Sequence, residues 1–141
     1  MLGSYATNRW ACDRTKRFQQ VGFMTHQEKI VDLATALSRL DNSPETLAMV
    51  IRIFQEDIGE LVVDLRTAFD QHHLSDAKRF AHTIKSMAAG LDAHRLVAIA
   101  SRIELQAFSL SASQLEADMA VLEMEVATVL SELERHGYTS E

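Results

Sequence analysis

Along most of the chain, apolar residues recur every three or four positions, the period of a helix with one buried face. Ile30, Leu33, Ala34, Leu37 and Leu40 form the first stripe. Thr25 with Glu28 resembles a capping box ahead of it, and this helix is expected to end near Asp41. Ser43 followed by Pro44 is a start signal, a cap residue and then proline at the first helical position. The second helix carries Leu47, Val50, Ile51, Phe54, Ile58, Leu61, Leu65 and Ala68 on one face and runs to about Gln71. After the connection at His72 and His73, Ser75 reads as the cap of a third helix to about Leu91. A fourth is expected from Ala93 to Phe108, with Leu96, Ile99, Ala100, Ile103 and Ala107 in line. Ser111 or Ser113 caps a fifth, whose stripe is Leu115, Met119, Leu122, Val126, Val129, Leu130 and Leu133, and Gly137 closes it.

No stretch alternates with period two, so no strands are expected. Amphipathic helices joined by short connections predict an all-α fold, an antiparallel up-down bundle. Residues 1–24 show no sustained period and are read as a weakly ordered extension. The bundle domain is assigned to residues 25–141.

Composition narrows the function classes. A chain of 141 residues suits one domain with its own core. Its single cysteine, Cys12, excludes an internal disulfide and fits a reducing compartment. No apolar run is long enough to span a membrane, and the N-terminus lacks a secretory apolar stretch. A cytoplasmic location is expected, with no membrane partner. The net charge of −6 argues against nucleic-acid binding. Residues 1–24 carry a net +3, so the remainder carries −9. With one Cys and no His pair at ligand spacing, no metal site is expected. His72 and His73 are adjacent, which does not point two ligands at one ion.

The third helix holds the candidate chemistry. With Ile84 set at zero on a helical wheel, Ala77, Phe80, Ala81, Met87, Ala88 and Leu91 fall within about 60° of it. His82 falls about 160° away, so it is predicted to be exposed on a helix whose buried face is already complete. Its helical neighbours are Lys78, Arg79, Lys85 and Ser86. Neutral imidazole is a good nucleophile near physiological pH and can form covalent intermediates. A phosphoryl group on its ring would bring negative charge that a nearby ammonium stabilises, and Lys85 is in reach. Ser86 and Ala89 are short, so a partner protein could approach the ring closely.

The segment His82-Thr83-Ile84-Lys85-Ser86-Met87-Ala88-Ala89-Gly90-Leu91 resembles the phosphorylation motif of histidine-containing phosphotransfer (HPt) domains. The motif runs histidine, any residue, aliphatic, lysine, small residue, then a small-residue run ending in an apolar position. The resemblance covers roughly residues 44–135. It implies a four-helix bundle, with the helix at 25–41 as an additional N-terminal cap. It implies that His82 is phosphorylated, that Lys85 offsets the phosphoryl charge, and that Glu104 on the next helix orients the imidazole. Ser86, Ala89, Lys78 and Arg79 would form the docking surface. Implied partners are response-regulator receiver domains and a hybrid sensor histidine kinase. No cofactor is expected on this chain, Mg²⁺ being held by the receiver, and the protein is read as a monomer. Two departures stand out: Asp92 where the family commonly has Gly, and Met87 where it has a small polar residue.

Two other readings stay open at this level. The bundle could dock a signalling partner without phosphate, with His82 incidental. It could instead be the dimerisation segment of a histidine kinase. Those place an acidic residue directly after the histidine, where this chain has Thr83. No Gly-rich nucleotide loop is present, so a phosphocarrier without kinase activity of its own leads.

Overall fold

The structure is a computed structural model and describes residues 29–139. The proposed extension at 1–24 and the Thr25–Glu28 capping box lie outside the described residues. Within them are five helices and no strand: α1 (Leu33–Arg39), α2 (Pro44–Asp70), α3 (Leu74–Gly90), α4 (His94–Leu105) and α5 (Ala112–Arg135). α2, α3, α4 and α5 pack on one another in chain order, α2 also meets α5, and α1 rests on α2.

The helix starts show how local chemistry sets the elements. Ser43 accepts from the Thr46 N–H with Pro44 in the first turn, as its sequence predicts. Ser111, rather than Ser113, caps α5 by accepting from the Gln114 N–H. Ser75 does not cap α3. Its N-cap is His73, without a side-chain bond, because the chain turns earlier through His72 at φ 58° and the His73 N–H closes on Ala68 O at 2.8 Å. α1 begins at Leu33 because Asp32 caps it, accepting from the Thr35 N–H at 3.1 Å. Of the expected α1 stripe, Ile30, Leu33, Leu37 and Leu40 are partly buried, but Ala34 is exposed and Ala36 is the buried alanine. α4 stops at Leu105, not Phe108. The Gln106 N–H bonds Arg102 O at 3.1 Å and the chain turns, leaving Ala107 buried and Phe108 exposed.

The core is unevenly built. α2 supplies bulk through Ile51, Phe54, Ile58 and Leu65, all fully buried. α3 supplies Ala77, Ala81, Ile84 and Ala88, so three of its four buried residues are alanines. Small residues let neighbouring helices approach closely. Phe80 and Met87 sit at the edges of this face, half-buried against the core.

Two features fix the site helices. Arg95 holds Glu125 at 2.9 Å, and Arg102 lies 3.4 Å from Asp118, both partners being on α5. These arginines share a face of α4. Glu104 is two residues past Arg102, about 200° around the helix, and so faces away from α5 toward α3. The second feature is the turn after α3. Asp92 adopts φ 51°, the left-handed region that glycine favours and Asp tolerates. This turn is therefore made where the expected glycine is missing. The side chain that replaces it is used: Asp92 Oδ2 accepts from Arg39 of α1 at 2.6 Å, and the same guanidinium donates to Ala89 O at 3.0 Å.

Arg39→Ala is expected to destabilise the protein by about 1–2 kcal/mol, the cost of leaving a mostly buried carboxylate without its charged donor. Because Arg39 is half exposed, the loss should shrink at high salt. Urea unfolding of both proteins at two salt concentrations checks this.

Candidate functional site

His82 lies on the outer face of α3 with 58% of its side chain exposed. Across the α3–α4 seam, its Nδ1 is 2.8 Å from Glu104 Oε2. The other oxygen, Oε1, is 2.6 Å from Lys85 Nζ. Glu104 thus grips the histidine with one oxygen and the lysine with the other, while only 12% of its own side chain is exposed. Wheel geometry placed His82 and Lys85 one turn apart. The carboxylate from α4 is what joins them.

The ionisation of Glu104 follows from these partners. The Lys85 ammonium holds its carboxyl below the usual carboxylate range, burial opposes this, and His82 adds to the lowering. A carboxylate only accepts hydrogen bonds, so a neutral His82 beside it donates from Nδ1–H. The lone pair then resides on Nε2, which has no hydrogen-bond partner among the described residues. The sign for stability is set by the lowered value. The Glu104 contribution is complete above the ordinary glutamate range and is lost as pH falls through the depressed folded value. Lys85→Met is expected to move the Glu104 carboxyl back toward its ordinary range, read by NMR titration of its side-chain carbon.

The remaining predicted residues sit as follows. Ser86 and Ala89 are exposed on α3 beyond His82. Lys78 and Arg79 are also exposed, but neither pairs with His82 or Glu104. Lys78 Nζ lies over the Phe108 ring at 5.9 Å. Arg79 pairs with Asp76 at 3.0 Å and stacks on Phe80 at 4.8 Å. Of the three cations that helix geometry places near His82, Lys85 is the one that shares a carboxylate with it.

Sequence reasoning missed Leu105 and Phe108, which are 77% and 63% exposed beside this constellation. The signal was available, since both are large apolar residues outside the α4 stripe. One other described histidine shares a carboxylate with a cation: at the end of α5, Glu132 lies 3.2 Å from His136 Nε2 with one oxygen and 2.6 Å from Arg135 with the other, but these groups are local neighbours and join no second helix. His94 is 3.9 Å from Asp92.

Among the described residues no group of three or more His, Cys, Asp or Glu side chains could hold a metal ion. No described helix is long and apolar enough to cross a membrane. A cleft of about 780 Å³ lies between α2 and the C-terminal turn, lined by Arg52, Gln55 and Tyr138 among others. None of His82, Lys85 and Glu104 lines it. An exposed nucleophile on a helix flank, with short side chains around it, suits a macromolecular partner better than a small enclosed substrate.

The family model of the Hpt domain matches residues 49–136, well over half of the chain and a span that holds α3, α4, His82, Lys85 and Glu104. No curated protein and no solved structure gives a significant match. An all-helical fold, an exposed histidine on the motif helix and this match lead to one conclusion: the chain belongs to the Hpt domain family, the phosphocarriers, not kinases, that perform histidine phosphotransfer in phosphorelays with receiver domains and kinases.

Proposed function

We propose that His82 accepts a phosphoryl group from the aspartate of one receiver domain and passes it to the aspartate of another. The observation that carries this reading is the double grip of Glu104 on His82 and Lys85. The carboxylate holds Nδ1–H, which sets the tautomer and leaves Nε2 as the nucleophile. Nε2 attacks the phosphorus of the receiver's acyl phosphate. The N–P bond forms, the P–O bond to aspartate breaks, and the aspartate leaves as a carboxylate. Lys85, one turn from His82, turns its ammonium toward the new phosphoryl charge. The reverse sequence delivers the group to the next receiver.

The docking face runs from Lys78 and Arg79 past His82 to Ser86 and Ala89, with Leu105 and Phe108 as an apolar rim. Short side chains at 86 and 89 leave room for the receiver's active-site loops. In this reading α2 to α5 form an antiparallel up-down bundle and α1 caps it. The protein acts as a monomer in the cytoplasm and receives phosphate through the receiver of a hybrid sensor kinase. No cofactor is assigned to this chain, and the Mg²⁺ of the reaction is expected on the receiver.

The test is phosphorylation of the purified protein by a small phosphoramidate donor and by phosphorylated receiver domains, followed by intact mass at neutral pH. One added phosphoryl, lost in acid, supports the carrier. No adduct with several competent receivers overturns it and leaves a docking module that works without phosphate.

A further inference from the structure

We infer that Glu104 keeps the phosphorylated imidazole protonated at Nδ1, and so makes phospho-His82 a short-lived, readily transferred form rather than a stored one. This rests on His82 being the phosphoryl acceptor. It goes beyond ring orientation, because it assigns the residue that controls how easily the N–P bond breaks.

Before transfer, Nδ1 carries the hydrogen that Glu104 accepts at 2.8 Å. Attack by Nε2 forms the N–P bond without displacing that hydrogen, so the product ring is an imidazolium bearing an anionic phosphoryl group. On outward transfer the N–P bond breaks and its electron pair returns to Nε2. If Nδ1 has kept its proton, the leaving group is neutral imidazole. If the proton has been lost to water, the leaving group is imidazolate, a much stronger base and a far poorer leaving group. The lifetime of the phosphohistidine is therefore set by the fraction of rings protonated at Nδ1.

The charges around that ring favour retention through one contact. From α3, Lys78, Arg79 and Lys85 are cationic neighbours and oppose a positive ring. Lys78 is turned to Phe108 and Arg79 to Asp76. Lys85 is paired with Glu104 and becomes the counter-ion of the phosphoryl group. From α4, Glu104 is the carboxylate in contact with Nδ1. No ion pair or hydrogen bond joins His82 to α2 or α5 among the described residues. With 12% of its side chain exposed, Glu104 is poorly screened by water, where such a contact is strongest. An opposite charge in contact shifts a proton equilibrium by roughly one unit or more, which is about tenfold in the protonated fraction. A glutamine at this position would still orient the ring but would not hold the proton.

The experiment uses the full chain with ¹⁵N-labelled histidine, phosphorylated by phosphoramidate and followed through pH 5.5–9 by ¹⁵N and ³¹P NMR. The same phosphoprotein unfolded in denaturant serves as the reference. The expected result is that folded phospho-His82 keeps its Nδ1 proton to a pH about one unit above the reference. Loss of the proton at the reference pH would overturn the inference. Glu104→Gln, phosphorylated in the same way, should show a phosphohistidine about tenfold longer-lived near neutral pH, and its lifetime should shorten again in mild acid. An unchanged lifetime and pH profile in that variant would also overturn it. A wild-type protein that takes no phosphoryl group at all would overturn the carrier assignment itself, and the adduct mass read beforehand separates the two failures.

Discussion

His82→Gln is expected to take up no phosphoryl group at all, while folding as well as the parent chain. The loss is complete because the nucleophile itself is removed. Glutamine offers an amide that can still hydrogen-bond Glu104 but has no basic nitrogen to attack phosphorus. The cost to folding is small because His82 is 58% exposed and contributes nothing to the core, so stability should stay within about 0.5 kcal/mol. The measurement is intact mass after treatment with phosphoramidate, paired with a thermal melt of each protein. Exposure alone does not single out this residue, since His72, His73, His94 and His136 are exposed too. An acid-labile adduct that survives on the variant would move the acceptor to one of the other histidines. That outcome would leave the Glu104 contact without a part in phosphotransfer.

Phe54→Ala should give the largest loss of stability, about 3–5 kcal/mol. Phe54 is 1% exposed on the inner face of α2, among the largest fully buried side chains of the core. Removing the ring discards its transfer free energy and leaves a cavity that helices on several sides cannot close without moving. Set against the 5–15 kcal/mol typical of such domains, the loss is a large share of the total. Urea unfolding should show a lower midpoint with an unchanged slope. Phe108→Ala is the paired control. That ring is 63% exposed, and its loss should change stability by no more than about 0.5 kcal/mol. A Phe54 variant as stable as the Phe108 variant would show that the core is misassigned.

Much of this was readable from residue order, and the exceptions have physical causes. Ser43, Pro44 and Ser111 announced helix starts because a hydroxyl cap is a local bond between near neighbours. α3 starts one residue before Ser75 because this helix uses no side-chain cap and begins from a left-handed His72, which leaves no mark in composition. α1 begins later than its apolar stripe implies. The Ile30 stripe suggested a longer helix, whereas the Asp32 cap near Thr35 was the better signal. At the site, the exposure of His82 followed from the wheel, since helix periodicity fixes which side is free. The charges around it did not follow. Side chains on one helix can be ordered by angle, but which partner each one takes depends on other elements. So Arg79 went to Asp76, Lys78 to Phe108 and Lys85 to Glu104. The Arg39–Asp92 pair spans 53 residues and belongs to the tertiary fold alone.

The alanines of α3 carry a last consequence. Ala77, Ala81 and Ala88 are fully buried, as are Ala93 at the head of α4 and Ala100 within it. They act as a gauge for the separation of α3 and α4, and that separation decides whether Glu104 reaches His82. The carrier is thus asymmetric in what it tolerates. Trimming a bulky residue elsewhere lowers stability but keeps the two helices in register. Adding even a few carbons at Ala81 or Ala100 would wedge them apart, and a shift of one ångström is enough to turn a hydrogen bond into a gap. Such a chain could remain folded, keep its histidine on display, and still lose the grip that prepares the ring for chemistry. Substitution in this protein is therefore constrained at the buried alanines of α3 and α4 as well as at its bulky core residues.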